Sequence, residues 1–522
     1  MRSSTVAVVA LLIPAALIAQ SSRPGGAASP APGDYAAPFV ARPAGDGPVK
    51  VGPAHGTVVV VGGGSMGPEL YKAFIDAAGG PDALILDVPN AGGDSVASAT
   101  AGQAWRDAGA KNVRVLFTRD RTVAESDSFT AIIGRAGGVW FEGGRQFHLV
   151  QDYGGTKTER AIMALLGRGG VVGGSSAGAS ILGDFMVRGA PSTDNTVMDY
   201  PGYERGFGYV RNVGIDQHVV ARSRLPDLAD SIIPRFPRLL GISEDEGTAW
   251  VIRGDTARIV GRNKAFVYNG NDATDPGAPF LTLFPGDRYD LNRRRVMSRA
   301  MDRSPVSLAD VSAMFGPYAA SASGGATVLV AQNGEVFIDH AFGIAAQPRY
   351  MPRTTLPQFA LGDISRAFTA LCEQLPARTG RGGDSSATGA RRQAPMTPLQ
   401  ACVGRVSAAI GAHQTSAMDA TQVQSSVDEL YRLSLGLEAP PSAFRGIDPA
   451  RGWIADSWRG VSRLAMYATA DGKRAAFVRL PDRHATIIVL TNDPAADARA
   501  MTERLIDRLI LQRAAHGDAN RM

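Results

Sequence analysis

Two cysteines, seven histidines and six lysines are all that the 522 residues hold of these types. Cys372 and Cys402 permit one disulfide at most, and no Cys/His group has metal-ligand spacing, so neither a metal nor a cofactor is expected. With so little lysine, the basic charge rests on arginine. The net charge of +5 is mild for this length, and no dense basic run carries interleaved aromatics, which argues against a nucleic-acid partner. Arg293 to Arg303 is locally basic and reads as a solvated interdomain segment. Long apolar runs are also missing. The one candidate, residues 6–19, falls short of the ~20 residues that a membrane span needs.

What is abundant is glycine, 61 of 522 residues, or about 12% against a usual ~7%. The apolar fraction is ordinary, so the surplus points to tight turns and close backbone approaches rather than disorder. The length exceeds what one core supports, and two or three domains are expected. Arg2, the apolar run and Gln20-Ser21-Ser22 read as a secretory signal over 1–19, with an uncleaved anchor as the lesser reading. Residues 20–55, rich in Pro, Ala and Gly, read as a flexible linker. The location expected is therefore secreted or periplasmic, where the two cysteines can pair; the sequence leaves the pairing itself open.

From residue 56, continuous apolar strands alternate with helices. Strands are expected at 57–61, 83–88, 113–117, 138–141 and 170–172, with finishing strands near 239–242, 248–252 and 258–261. That pattern implies an α/β fold with a mostly parallel sheet covered on both faces. This domain should span 56–291, followed by a linker at 292–306 and a smaller α+β domain over 307–522.

Two glycine-rich elbows compete for the chemistry. Gly62-Gly63-Gly64-Ser65-Met66-Gly67 follows a strand, precedes a helix and has Asp87 twenty residues beyond, the context of a dinucleotide fingerprint. The rival reading is a close-packed turn, and a secreted enzyme has little nicotinamide cofactor to use. Gly174-Ser175-Ser176-Ala177-Gly178 follows an apolar strand and fits a nucleophile elbow, whose central serine adopts a strained conformation on a sharp turn. Such a serine needs a base. His218, in Ile215-Asp216-Gln217-His218, stands apart from the other histidines because Arg222 and Arg224 trail it. Guanidinium groups there would suit a carboxylate-bearing substrate; the plainer reading is the start of a solvated helix.

Taken together, Val172 to Ala179, Ile215-Asp216-Gln217-His218, Arg222 and Arg224 resemble the cyanophycinases, within the peptidase E-like serine peptidases. Residues 139–146, with Gly143-Gly144-Arg145-Gln146, and residues 240–249, with Asp245-Glu246-Gly247, resemble two further motifs of that family. The likeness covers roughly 56–290. It implies a three-layer fold akin to class I glutamine amidotransferases, with Ser176 as nucleophile, His218 as general base and Asp194 as the third triad member, Asp184, Asp199 and Glu246 being the other acids in view. It also implies oxyanion donors at Ala177 and at Gly143 or Gly144, and substrate contacts at Gln146, Asp216, Gln217, Arg222 and Arg224. One departure stands out: Asp227 occupies a position where the family pattern leads one to expect a basic residue, which puts an arginine-branched polymer in doubt as substrate.

The second half resembles serine β-lactamase and penicillin-binding-protein-like domains, through a hairpin turning at Asn333-Gly334, residues 359–370, and closing strands from Gly472 to Asn492. Where that family has the serine and lysine of S-x-x-K, this chain has Asp363 and Arg366, and arginine is effectively never deprotonated. A degenerate binding or scaffold domain is expected, with residues 378–392 as a Gly/Ser/Arg-rich loop.

The sequence thus predicts a secreted serine exopeptidase acting on β-aspartyl, cyanophycin-like bonds. The alternatives are a non-catalytic peptide-binding or cell-envelope module, a dinucleotide-dependent oxidoreductase built on the first glycine loop, and an α/β-hydrolase esterase, against which the short Ser176-to-His218 spacing argues. The oligomeric state, homodimer included, stays open.

Overall fold

The computed structural model describes residues 31–517 apart from 93–100, 193, 276, 320–324, 344–358, 376–396, 413–414, 419–421, 441–443, 445 and 471. The signal-like residues 1–19 and the loop at 378–392 lie outside the described residues. Among those described, no helix is long and apolar enough to cross a membrane.

Fourteen strands build the first domain: β1 (Thr57–Val61), β2 (Leu84–Val88), β3 (Asn112–Val115), β4 (Gly138–Phe141), β5 (Val171–Ser175), β6 (Gly183–Phe185), β7 (Val210–Gln217), β8 (Leu240–Glu244), β9 (Thr248–Arg253), β10 (Thr256–Gly261), β11 (Ala265–Tyr268), β12 (Leu281–Leu283), β13 (Arg288–Asp290) and β14 (Arg295–Ser298). Nine of them form one sheet in the order β14-β13-β10-β9-β1-β5-β4-β2-β3. The five from β1 to β3 run parallel, and β9, β10, β13 and β14 continue the sheet antiparallel. The α/β architecture is the one the sequence implies. β1, β4 and β5 are buried along their whole length, which is why they read as unbroken apolar or glycine runs rather than alternating ones. On one face, Phe74, Trp105 and Trp140 pack ring against ring. A second sheet, β12-β11-β8-β7-β6, brings β7 and β8 side by side in parallel.

Two segments expected to be linkers are part of the body. Asp255 accepts hydrogen bonds from the backbone N–H groups of Lys50, Val51 and Gly52, Tyr35 donates to Glu159 at 2.6 Å, and Arg42 pairs with Asp184. A few anchors inside a Pro/Ala/Gly-rich stretch suffice to strap residues 31–55 onto the domain, and composition alone hides them. Likewise, β14 is an edge strand of the main sheet and Arg299 pairs with Asp287 at 2.9 Å. The first domain therefore extends past 291 into the segment assigned to the linker at 292–306.

The second half holds a six-stranded sheet, antiparallel throughout, built from Gly325–Gln332, Glu335–Gly343, Ile454–Trp458, Val461–Ala470, Lys473–Leu480 and Ala485–Thr491. Asn333 and Gly334, at φ 53° and 74°, make the hairpin turn that their identity foretells. Cys372 and Cys402 form a disulfide between the helices Ser365–Gln374 and Pro398–Ile410.

Candidate active site

The C-terminal ends of β1, β4 and β5 in one sheet meet those of β7 and β8 in the other, and the chemistry gathers there, as it does at strand ends in open α/β sheets. β5 ends at Ser175, and Ser176 follows at φ 57° and ψ −115°, the strained conformation of a nucleophile elbow. The flanking glycines are obligatory. A Cβ on Gly174 would lie 2.2 Å from the carbonyl oxygen of Gly178, and one on Gly178 would lie 2.0 Å from that of Phe141.

His218, at the end of β7, is 4% exposed and also holds a positive φ, 57°. Its Nε2 lies 2.8 Å from Ser176 Oγ, and its Nδ1 lies 2.5 Å from Oε1 of Glu246, in the turn after β8. Serine, imidazole and carboxylate stand in one hydrogen-bonded line. Asp194, the acid expected on the histidine, is elsewhere. It is exposed, caps its own loop by accepting from the backbone N–H and hydroxyl of Thr196, and thereby sits below the usual carboxylate range. Asp184 is bound to Arg42 and Asp199 to Arg235. The acid on the histidine comes from the late motif, Asp245-Glu246-Gly247, because parallel pairing of β7 with β8 sets Gln217 beside Glu244.

The first glycine elbow has its explanation here. A Cβ on Gly63 would lie 2.1 Å from His218 Cε1, and one on Gly64 would lie 2.4 Å from Glu246 Oε2. The loop is the surface on which imidazole and carboxylate rest. The space a dinucleotide would need above it is taken by those side chains, which overturns the fingerprint reading. Asp87 points the same way: it is 1% exposed and hydrogen-bonded to Glu142. Burial, and then the charge of Asp87, push the Glu142 carboxyl up to about 8, and burial also raises Asp87. Two carboxyls so placed share a proton. Glu142 directly precedes Gly143, which lies against Ser176: a Cβ there would be 3.8 Å from Ser176 Oγ. Gly144, with φ 145°, backs onto the carbonyl of Ala91 instead. Of the two glycines, Gly143 is the neighbour of the serine, and Ala177, 1% exposed, follows it directly in the chain.

The expected substrate contacts divide into two groups. Gln146 is buried and donates to the carbonyl of Val187 at 2.6 Å, and Gln217 reaches Ser180 Oγ at 3.4 Å. Asp216 is wholly buried and held through both oxygens by Arg188, at 2.9 Å each, while Arg188 also bonds Asp227 at 2.5 Å and the carbonyl of Asn195. Arg188 is a site residue that sequence reasoning missed; no motif surrounds it to show that it would reach Asp216 and Asp227. Among the described residues, Arg224, 6% exposed, makes two long bonds, both to Gln217 at 3.4 and 3.5 Å, and burial, then the nearby charge of Arg188, lower its guanidinium to about 10. Arg222 is exposed.

Residues 58–260 match the model of Peptidase family S51. The chain is 30% identical over 266 residues to a cyanophycinase of Synechococcus elongatus, covering 47% of this chain and 82% of that one. It is 29% identical over 267 residues to a cyanophycinase of Geminocystis herdmanii, covering 46% and 96%. A solved peptidase from an acI-B1 Actinobacterium aligns with 23% identity and a TM-score of 0.36, over 46% of this chain and 98% of that one. On the strength of the first of these relatives, the chain belongs to peptidase family S51 and is a serine-type peptidase.

Proposed function

We propose that the chain is a secreted serine exopeptidase that hydrolyses β-aspartyl bonds, with Ser176 as nucleophile, His218 as general base and Glu246 as the acid that orients it. The observation that carries this is the unbroken line from Ser176 Oγ to His218 Nε2 at 2.8 Å and from His218 Nδ1 to Glu246 Oε1 at 2.5 Å. His218 takes the serine proton as Oγ attacks the scissile carbonyl, and Glu246 stabilises the imidazolium. The N–H of Ala177 and the Gly143 turn receive the oxyanion. The imidazolium then returns its proton to the leaving amine, and water releases the acyl group by the same steps.

Arg224 and Arg222 are the substrate's carboxylate receptors. With Asp216 neutralised by Arg188, the site has little to offer an arginine side chain, so acidic or β-aspartyl peptides fit better than an arginine-branched polymer. The Cys372–Cys402 disulfide supports an oxidising compartment, in keeping with the signal-like residues 1–19. In the second half, Asp363 and Arg366 pair with each other at 2.9 Å on the surface, which supports a hydrolase-like domain without hydrolase machinery.

Mass spectrometry of products from cyanophycin, α-aspartyl and β-aspartyl dipeptides tests the reading. Cleavage of β-aspartyl bonds that Ser176→Ala abolishes is expected; equal turnover by Ser176→Ala sinks it.

A further inference from the structure

The acidic turn that carries Glu246 is held from two sides. Asp245 is wholly buried, and its Oδ1 accepts from the backbone N–H groups of Val220, at 3.1 Å, and Ala221, at 2.9 Å, the residues that follow His218. Its Oδ2 accepts from Asn263 and, at 3.4 Å, from Nη2 of Arg432. Arg432 belongs to the second domain, on the helix Val427–Glu438, and is 3% exposed. Its other nitrogen, Nη1, donates to the carbonyl of Gly411 at the end of the helix Pro398–Ile410. That helix and Glu246 face each other across a cleft of about 530 Å³, with Gly64 and Ser65 on the side of Glu246 and Ser407 and Ala408 on the other. Beside Asn263, Lys264 is buried between Asp339, at 2.6 Å, and Asp428, at 2.9 Å, both from the second domain.

From this we infer that the second domain completes the catalytic site: Arg432 is a positioning residue that acts on His218 and Glu246 through Asp245. The inference rests on the proposed roles of Ser176, His218 and Glu246. Arg432 supplies the positive charge against a carboxylate that lies between two other acids in sequence, Glu244 and Glu246. Glu244 is wholly buried, and burial raises its carboxyl well above the usual range. The charged groups around His218 are then Glu246 on its ring, Asp245 behind its turn, the Arg188–Asp216–Asp227 cluster and Arg224 on its own segment, and Arg432 with the Lys264–Asp339–Asp428 group from the second domain. The first glycine loop contributes none. Removing Arg432 leaves the negative charge of Asp245 unbalanced, which favours the imidazolium and loosens the turn.

The test uses the full chain and a serine-directed aryl phosphonate, reading the pH dependence of labelling. Labelling of the wild type that His218→Ala abolishes secures the underlying reading, and its absence counts against that reading rather than against Arg432. Arg432→Met should lower the inactivation rate constant ~10- to 100-fold with the phosphonate affinity little changed. It should also move the acidic limb to higher pH by roughly half a unit. Arg432→Lys should restore most of both. Asp245→Asn, which keeps an acceptor for the His218 turn, should move the limb the opposite way, and this holds the test even if Arg432→Met does not fold. A rate constant and limb in Arg432→Met equal to those of the wild type, or a limb unmoved in Asp245→Asn, overturns the inference.

Discussion

At the scale of single residues, the site depends on which carboxylate touches one imidazole. Glu246→Gln should lower kcat by about 10³- to 10⁴-fold, because an amide cannot stabilise the imidazolium and favours the wrong tautomer. Asp194→Asn, which alters an exposed loop cap facing Arg145, should leave kcat within roughly two-fold, since surface changes typically cost little. Steady-state assays on one β-aspartyl dipeptide check both. Gly63→Ala is a third case. Its Cβ would press on His218 Cε1 from a position with φ 97°, so activity should fall more steeply than thermal stability. Parallel measurement of kcat and Tm separates the two effects.

At the scale of elements, the ends of β2 and β4 bring Asp87 and Glu142 together, and that pair gives stability a pH slope. Both carboxyls are raised in the folded state, Glu142 to about 8, so the folded chain holds protons that the unfolded chain has released. Their contribution is full below the ordinary carboxylate range and is lost as pH rises towards 8. Glu142→Gln should therefore raise Tm relative to the wild type at pH 8 and change it less at pH 5, a contrast that calorimetry at the two values reads. Elements also explain what the sequence made legible. The parallel strands could be read because strands buried on both faces are apolar throughout, and the two elbows because sharp turns demand glycine. Ser176 and His218 carry motif neighbours of their own. Glu246 as the partner of His218 is different, since it follows from the pairing of β7 with β8, a fact of topology that local pattern does not encode. Arg188 reaching Asp216 and Asp227 is likewise visible only in three dimensions. The strapping of residues 31–55 was hidden because Tyr35, Arg42 and the N–H groups of Lys50 to Gly52 are few among many residues of loop-like composition.

At the scale of the whole molecule, the disulfide closes a loop whose ends lie 30 residues apart in sequence. Cys372→Ser with Cys402→Ser should cost about 2–4 kcal/mol, read as a lower urea midpoint for the transition of the second half. Stability also bears on the elbow itself. Ser176 and His218, the two residues whose side chains meet, both hold a left-handed φ of 57° that an L residue adopts only at a cost of about 1–3 kcal/mol. Glycine suits that conformation, so Ser176→Gly should melt above Ser176→Ala, by the equivalent of about 1 kcal/mol. Of two variants that abolish the chemistry equally, the glycine one is thus the sturdier, which makes the strain of the elbow measurable apart from its catalysis.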